Sequence, residues 1–454
     1  MALMTLLVGS PAAANDESYR DYPMGGRAVG LAGAFTALGS DPSGLFYNPA
    51  GLVDVPEGSV QVGSNLYGLQ VQGGIADAFG AVVDVERVVT ELDIIPSSAG
   101  GTNVLERDAH GRPRTVYSLG SFVPSVRSSQ TSVISDLGSE GFSGCRRLAY
   151  ERNLDDRRFL FGAGIGHRIE EDWSAGFSAF LSYRQLSDRE EIVCSEDELT
   201  SSSFSTADTR VNLSVFAIVL AFGIKHRLLD GWQVGAHLTM PSIRAYGSAS
   251  VRVRRAYSVP DESQSQFLLR QIDGLRADTR DGMALRFGLA RSWTGGDLVS
   301  LDISLHAPTH YSLVDIPSDE VAVANAITLT TDVERGFVAN VAVGAEHAFN
   351  PEWGIAGGLF TNFSSAPSIP GEDGDRFTED RLSNVHELGA TLLLKLDSEH
   401  NTTRVGGIMT AGWGSDVVPR YAGLAALGSE TEYIKTNANH ISIYLSISTT
   451  LRFE

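Results

Sequence analysis

The last fourteen residues of the chain constrain its fold more than any other segment. From Ile441 to Phe453 every odd position but one is apolar, and the even positions between them are small, polar, aromatic or charged. A strict period of two predicts a β-strand with one apolar and one polar face. The strand carries one charge, Arg452, before the terminal Glu454. A strand of this kind at the end of a chain is typical of a transmembrane β-barrel.

Five predicted hairpins precede this strand. In each, an alternating strand leads through a short turn into a second strand, and the turns are rich in Asp, Asn, Gly and Pro, which favour tight hairpins. They fall at residues 170–172, 229–231, 294–296, 350–352 and 397–402. The other connections are long and polar, which is typical of extracellular loops opposite short periplasmic turns. These predicted loops are 129–156, 187–210, 255–281, 310–335, 364–385 and 414–439.

The strand count follows from working back along these hairpins. The predicted spans are 59–71, 89–104, 114–127, 157–169, 173–186, 211–227, 232–253, 282–293, 297–309, 336–349, 353–363, 386–396, 403–413 and 440–453. The predicted fold class is therefore all-β, a 14-stranded antiparallel transmembrane β-barrel. An even number of strands returns both ends of the barrel to the periplasm.

Composition and motifs exclude several classes of function. The net charge of -20 argues against a nucleic-acid partner, which requires a basic face. No Walker A, G-x-S-x-G, H-E-x-x-H or C-x-x-C sequence occurs, so we expect no enzyme, cofactor or metal site. Gly162, Gly164 and Gly166 alternate along one predicted strand without a following helix, and we interpret them as lumen-facing glycines rather than a dinucleotide loop.

Two segments precede the predicted barrel of residues 59–454. Residues 1–14 resemble a secretory signal peptide truncated at its start, since an apolar stretch and small residues are present but no Lys or Arg precedes them. The alternative is an ordinary disordered N-terminus. Residues 15–58 do not alternate like a strand and are apolar enough to be buried. We predict that they form a plug, or hatch, in the barrel lumen.

Glycines and one tight turn characterise this predicted plug. Gly26, Gly30 and Gly33 allow very close backbone packing, and Asn48, Pro49 and Ala50 form a turn. At these residues the chain resembles the FadL/TodX family of outer-membrane transporters of long-chain fatty acids and other hydrophobic compounds. The matching stretches are Gly25–Gly33, Ala34–Ala37, Phe46–Gly51 and His237–Ser242.

The resemblance implies a fold, a location and a route. It implies a 14-stranded barrel with an N-terminal hatch in the outer membrane of a Gram-negative bacterium. It further implies passive uptake of a hydrophobic ligand, which leaves sideways through a gap at the third strand. Gly120 and Pro124 lie in that strand and would permit a gap, because Pro cannot donate to the ladder and Gly packs weakly. The alternative is that Pro124 marks the end of the strand near the rim.

Four further residues are candidates for ligand binding or cross-linking. Arg184 and Arg404 are predicted to face inward, where either could hold a ligand carboxylate; the alternative is a self-paired, solvated lumen. Cys145 and Cys194 fall in neighbouring extracellular loops and could form a disulfide; the alternative is two free thiols.

Two functions remain open at this point. The first is uptake of fatty acids or hydrocarbons by a monomer whose partners are a hydrophobic small molecule, outer-membrane lipid and lipopolysaccharide. The second is a structural or adaptor barrel, because related barrels with the Asn-Pro-Ala motif serve secretion or surface attachment. An apolar pocket continuous from the loops to the hatch would favour the first.

Overall fold

The computed structural model describes residues 18–19, 22–72, 87–91, 95–136, 147–198, 201–258, 265–320, 323, 331–377, 382–420 and 432–453. Two short helices, α1 (Gly26–Gly30) and α2 (Gly44–Tyr47), and a 3-10 helix (Pro49–Asp54) precede the first strand. None of the helices in the described part of the chain is both long and apolar enough to cross a membrane.

In the described part of the chain twenty strands follow these three helices, and a further 3-10 helix (Leu229–Gly231) lies between the seventh and eighth strands. They are β1 (Ser59–Gln72), β2 (Arg87–Glu91), β3 (Ile95–Arg107), β4 (Pro113–Asp136), β5 (Arg147–Arg168), β6 (Trp173–Glu198), β7 (Ser201–Arg227), β8 (Trp232–Thr239), β9 (Ile243–Ser258), β10 (Gln266–Arg276), β11 (Ala284–Ser292), β12 (Leu298–His306), β13 (Thr309–Ser312), β14 (Asp332–Arg335), β15 (Val338–Ala348), β16 (Trp353–Asn362), β17 (Arg376–Phe377), β18 (Asn384–Asp397), β19 (Asn401–Arg420) and β20 (Glu432–Arg452).

Fourteen of these strands form a closed antiparallel barrel, which confirms the predicted fold class. They are β1, β3 to β8, β11, β12, β15, β16 and β18 to β20. The barrel closes where β20 pairs with β1, from Ser59 opposite Arg452 to Gln72 opposite His440. Closure leaves no free edge around most of the wall, which is what a β-structure needs in lipid.

Several strands are longer than predicted. β4 runs to Asp136, β6 runs to Glu198 and β19 runs to Arg420, so large parts of the predicted loops 129–156, 187–210 and 414–439 are strand. Beyond the hydrocarbon region both faces of a strand can be polar, so the apolar period disappears although the backbone ladder continues. The predicted strand 232–253 is instead broken into β8 and β9 around Pro241, which cannot donate to a ladder.

The terminal strand has the two faces that its period predicts. Ile443 and Leu445 are each 45% exposed on the outer face, whereas Ser442 and Ser446 are buried on the inner face. Aromatic side chains mark both edges of the outer apolar band. At the turn side the edge is marked by Trp232, whose ring centroid lies 5.2 Å from the Arg291 guanidinium. At the loop side, outward aromatic residues lie in one row across neighbouring strands, Phe159, Tyr183, Phe216 and Tyr246.

The N-terminal segment, residues 22–58, lies against strands on opposite sides of the barrel. Its helix α1 is close to β1, β15, β16 and β18 to β20, whereas its 3-10 helix is close to β4 to β7. Its largest side chains, including Phe35, Leu45 and Tyr47, have no exposed surface. The segment therefore contacts the wall on opposite sides, as the predicted plug requires, and its role as a plug stays a prediction. Upstream of it, Tyr19 stacks on His306 with 4.1 Å between ring centroids, at the loop end of β12.

Candidate functional site

The Asn-Pro-Ala turn rests on a row of glycines in the barrel wall. Gly166, Gly176 and Gly223 lie directly opposite one another on β5, β6 and β7. A Cβ atom added at Gly176 would overlap the backbone of Pro49, and one added at Gly223 would overlap the Asn48 side chain. The wall therefore has glycine where this turn approaches it most closely.

Asn48 ties this turn to the rest of the segment and to the wall. Its side-chain amide donates to the Thr36 carbonyl oxygen at 2.7 Å and to the Ile224 carbonyl oxygen at 3.0 Å. Its Oδ1 atom accepts the backbone N–H of Ala50 at 3.1 Å, and Pro49 begins the 3-10 helix. Asn48 is fully buried, so all of its polar atoms need such partners.

Two of the three predicted glycines of the segment lie at close contacts, and the third has a left-handed backbone. Gly33 has a φ of +88°, in the left-handed region that favours glycine. Gly26 lies against the Gln61 side chain, and a Cβ added at Gly30 would approach Ala356 Cβ within 2.8 Å. The role of these three glycines in a hatch stays a prediction.

Charged anchors hold the segment at both of its ends. Near the start, Arg27 Nε and Nη2 donate to the Glu346 carboxylate on β15 at 2.9 and 2.6 Å. Near the end, the Asp54 carboxylate lies 2.8 Å from Lys225 Nζ and 3.3 Å from Arg168 Nη2, and it also contacts Arg227. At the second anchor the Lys225 side chain is only 2% exposed, so Asp54 rather than water compensates its charge.

A third polar contact holds the middle of the segment. The Asp302 Oδ2 atom on β12 accepts the backbone N–H groups of Phe35 and Thr36 at 3.1 and 2.9 Å. Ser300 on the same strand donates to the Ala34 carbonyl oxygen at 2.7 Å. The segment is thus tied to three sectors of the wall through charged or hydrogen-bonded contacts.

An apolar cluster lies inside the barrel where the segment meets β4 and β6. The ring of Phe46 lies 5.4 Å from the ring of Phe122 and 6.4 Å from the ring of Phe180, between centroids. Phe122 and Phe180 are buried, whereas Phe46 is partly exposed. The cluster continues around the lumen through apolar and aromatic side chains, among them Tyr22, Leu160, Phe360, Leu393 and Ile408. These surfaces could bind an apolar molecule.

One side of this cluster is polar. The Arg286 guanidinium on β11 lies 5.1 Å from the Phe46 ring centroid and 5.8 Å from that of Tyr47. Such cation–π contacts hold the aromatic rings of the segment in place. Phe46 therefore lies between a cationic group and the apolar wall.

The third strand of the barrel, β4, has an irregularity beside this cluster. Phe122 pairs with Leu160, but the next pair is Ser125 with Arg158, so Val123 and Pro124 face a single residue of β5. This arrangement is a β-bulge. On its other edge, β4 pairs with β3 only as far as Phe122 opposite Ser98, and among the described residues no β-bridge joins β4 to β2 or β3 beyond that point.

These contacts bear on the two residues predicted for a lateral gap. Pro124 lies inside β4, which continues to Asp136, so it does not mark the end of the strand. Gly120 pairs with Gly100, and a Cβ added there would lie 3.2 Å from Leu45 Cδ2. Both residues therefore adjoin the apolar cluster and the edge of β4.

The two arginines predicted to hold a carboxylate lie at opposite ends of the barrel. Arg184 is buried near the loop end and donates through Nε and Nη2 to Asp156 at 3.0 and 2.7 Å. Arg404 is buried near the turn end, where it lines an open cavity of about 910 Å³ with Arg27 and Glu346. One carboxylate cannot contact both, and the role of each stays a prediction.

Only one of the two cysteines predicted to form a disulfide lies in the described part of the chain. Cys194 lies buried on β6 and is disulfide-bonded. Cys145 lies outside the described residues, so the pairing stays a prediction.

Sequence reasoning did not single out Asp54, Phe122 or Phe180. The glycines of the wall could have indicated Phe122 and Phe180. These glycines recur at inward positions, and Gly120 lies beside Phe122 and Gly162 beside Phe180. No sequence pattern indicated Asp54, because its three cationic partners lie on two strands far along the chain. These partners are Arg168, Lys225 and Arg227.

Comparisons with known proteins add to this geometry. No family model matches the chain, and no curated protein matches it. Among solved structures, it is similar to the P. putida toluene transporter TodX, with 13% identity, a TM-score of 0.56, and coverage of 97% of this chain and 100% of that one.

Two further solved structures are similar over the same extent. A Pseudomonas aeruginosa FadL homologue has 11% identity and a TM-score of 0.57, covering 96% of this chain and 100% of that one. The CymD monoaromatic hydrocarbon channel has 12% identity and a TM-score of 0.53, covering 95% and 98%. The chain therefore has the fold of the FadL and TodX barrels over almost its whole length, as the resemblance of its N-terminal residues implied.

Proposed function

We propose that this chain is an outer-membrane channel for the passive uptake of hydrophobic molecules, such as long-chain fatty acids or aromatic hydrocarbons. The observation that carries the proposal is the apolar cluster around Phe46, Phe122 and Phe180 beside the bulge of β4. The names of the similar structures, a toluene transporter and a monoaromatic hydrocarbon channel, support it.

The proposed route uses the N-terminal segment as a hatch. A ligand enters among the extracellular loops and binds against the apolar cluster. It then leaves sideways at the bulge of β4, where Val123 and Pro124 oppose a single residue of β5. Transfer from the lumen to lipid is favourable for an apolar solute, so the route needs no energy source, cofactor or covalent step.

The first experiment tests ligand binding. The full chain is purified in a detergent unlike any lipid, its organic extract is analysed by mass spectrometry, and binding of a labelled fatty acid and of toluene is measured. The variant Phe46→Ala should weaken binding about tenfold, because it removes a partly buried ring from the cluster. Phe287→Ala removes a ring of the same size from the outer face, where it is 48% exposed, and should leave binding unchanged.

A second experiment tests the lateral exit. Because two bulge residues oppose one residue of β5, deletion of Pro124 removes the bulge and keeps the register on both sides. This variant should still bind ligand in detergent but should lose uptake into proteoliposomes or cells. Normal uptake by the variant would refute the exit at β4. A barrel that is empty as purified and binds neither probe would refute transport and favour the adaptor function.

A further inference from the structure

The outward face of the barrel continues beyond the membrane on one side. The row Phe159, Tyr183, Phe216 and Tyr246 forms a continuous aromatic stripe, with Tyr183 and Phe216 stacked at 4.6 Å between ring centroids. Aromatic stripes of this kind lie at the edge of the hydrocarbon region. The strands that carry it extend further on the loop side, β6 to Glu198 and β9 to Ser258. They form a wall beside the head groups of the outer leaflet.

On β6, β7 and β9 uncharged polar side chains come next along this wall, whereas on β5 the same two rows hold Arg157 and Asp155, which form an ion pair with each other. The positions two residues beyond the aromatic row are Gln185, Ser214 and Ser248, which lie opposite one another on β6, β7 and β9. The following row is Ser187, Asn212 and Ser250. Hydroxyl and amide groups of this kind can bind sugar hydroxyls.

Three arginines form the row above. Arg189, Arg210 and Arg252 lie directly opposite one another on β6, β7 and β9, with Arg254 adjacent on β9. The side chains of Arg189 and Arg210 are 41% and 40% exposed. Like charges directly opposite one another destabilise a ladder. The arrangement therefore favours an anion placed over the row.

The carboxylates of the described chain compensate this charge only in part. Asp208 lies 3.6 Å from Arg189 and 3.4 Å from Arg210, and Glu191 lies 2.8 Å from Arg189. The ion pairs of the described residues include neither Arg252 nor Arg254, although Arg254 lies opposite Asp208 in the ladder of β7 and β9. Guanidinium groups bind phosphate with paired hydrogen bonds, which makes phosphate a fitting partner for this row.

The height of the row matches one class of lipid. Arg189 lies six positions beyond Tyr183 along β6, which corresponds to about 15 Å above the aromatic row at the usual strand rise and tilt. Apolar, sugar-binding and anion-binding rows then follow in the order in which a phosphorylated glycolipid presents acyl chains, sugars and anionic groups. A phospholipid head group would not reach the arginine row.

We propose that Arg189, Arg210 and Arg252, with the polar rows beneath them, bind the phosphorylated inner sugars of lipopolysaccharide on the outer face of the barrel. The proposal rests on the outer-membrane location proposed above, but not on transport. It concerns a surface that no hydrophobic ligand in the lumen would contact.

The test compares two triple variants of the full chain in detergent. In R189Q/R210Q/R252Q the row loses its charge; in the control, R107Q/R112Q/R114Q, the same number of exposed arginines is removed at the turn side. Binding of labelled lipopolysaccharide should fall at least about tenfold in the first variant and stay within about twofold of wild type in the second. Enzymatic dephosphorylation of the lipopolysaccharide should abolish the difference between wild type and the first variant.

Further arms distinguish other sources of the same chemistry. Inorganic phosphate or phosphatidylglycerol that displaces lipopolysaccharide at equal concentration would overturn the proposal, as would binding that disappears with EDTA, since arginine needs no bridging metal. Equal binding by both triple variants would also overturn it. Binding of labelled fatty acid and of toluene is measured on the same preparations. Preparations that bind neither probe would refute the proposed transport, whereas loss of lipopolysaccharide binding with either probe still bound supports the arginine row alone.

Discussion

The anchor at Asp54 offers a direct test of what holds the N-terminal segment in the barrel. Its carboxylate contacts Lys225 and Arg168, whose side chains are 2% and 10% exposed. The substitution Asp54→Asn leaves these cations without their anion. Removal of one partner from a buried ion pair typically costs about 3–5 kcal/mol.

For Asp54→Asn we expect a free-energy cost at the lower end of the range typical of a broken buried ion pair. Arg227, the third cation at Asp54, is 39% exposed and can regain water. Lys225 also keeps one partner, because Nζ donates to the Leu38 carbonyl oxygen at 2.6 Å. We therefore expect a loss of about 3 kcal/mol, which corresponds to roughly a 100-fold increase in the undocked population of this end of the segment.

Hydrogen exchange measured by mass spectrometry reads this population directly. The N–H groups of Ala50, Gly51 and Val55 are bonded within the turn and the 3-10 helix, and they exchange when this region opens. Their exchange should accelerate by about two orders of magnitude in Asp54→Asn. Peptides from the barrel strands should be unaffected.

A matched substitution and a double variant complete the test. Asp230→Asn makes the same change of charge in an exposed turn, at a residue with φ of +59° that Asn tolerates, and it should leave exchange unchanged. Adding Lys225→Met to Asp54→Asn should recover part of the loss, because the most buried unpaired cation is then removed. Exchange in Asp54→Asn that stays within threefold of wild type would refute the reasoning.

Two further predictions concern the glycine row and the exposed turns. Gly223→Ala should lower the free energy of unfolding by about 1–3 kcal/mol, because its Cβ overlaps the Asn48 side chain, whereas Gly407→Ala, with its closest contact at 3.6 Å, should have little effect; equal denaturation midpoints would contradict this. The Arg112 guanidinium, 2.8 Å from Glu171, lowers the pKa of that carboxyl, so this contact contributes above the usual pKa of Glu and is lost as the pH falls through the lowered value. In Arg112→Gln the pKa of Glu171 should return to its usual range by NMR titration, and an identical pKa in both proteins would exclude the contact in solution.

The sequence by itself determined the architecture of the barrel wall. The period of two in strands such as 440–453, together with turns rich in Gly, Asn and Asp, was enough to predict the number of strands and the positions of the short turns. Lipid imposes this periodicity, since each strand must face hydrocarbon on one side only. The ends of the strands were harder to predict because the period fades where both faces are polar.

Only the tertiary structure decided which side chains meet. The contacts of Phe46 with Phe122 and Phe180, and of Asp54 with Lys225, join residues that lie far apart in the chain. Their pairing depends on the stagger between strands and on how the N-terminal segment lies among them, which leaves no local pattern. The same holds for the arginine row of β6, β7 and β9, where three unremarkable single residues become one surface through the register of the ladders.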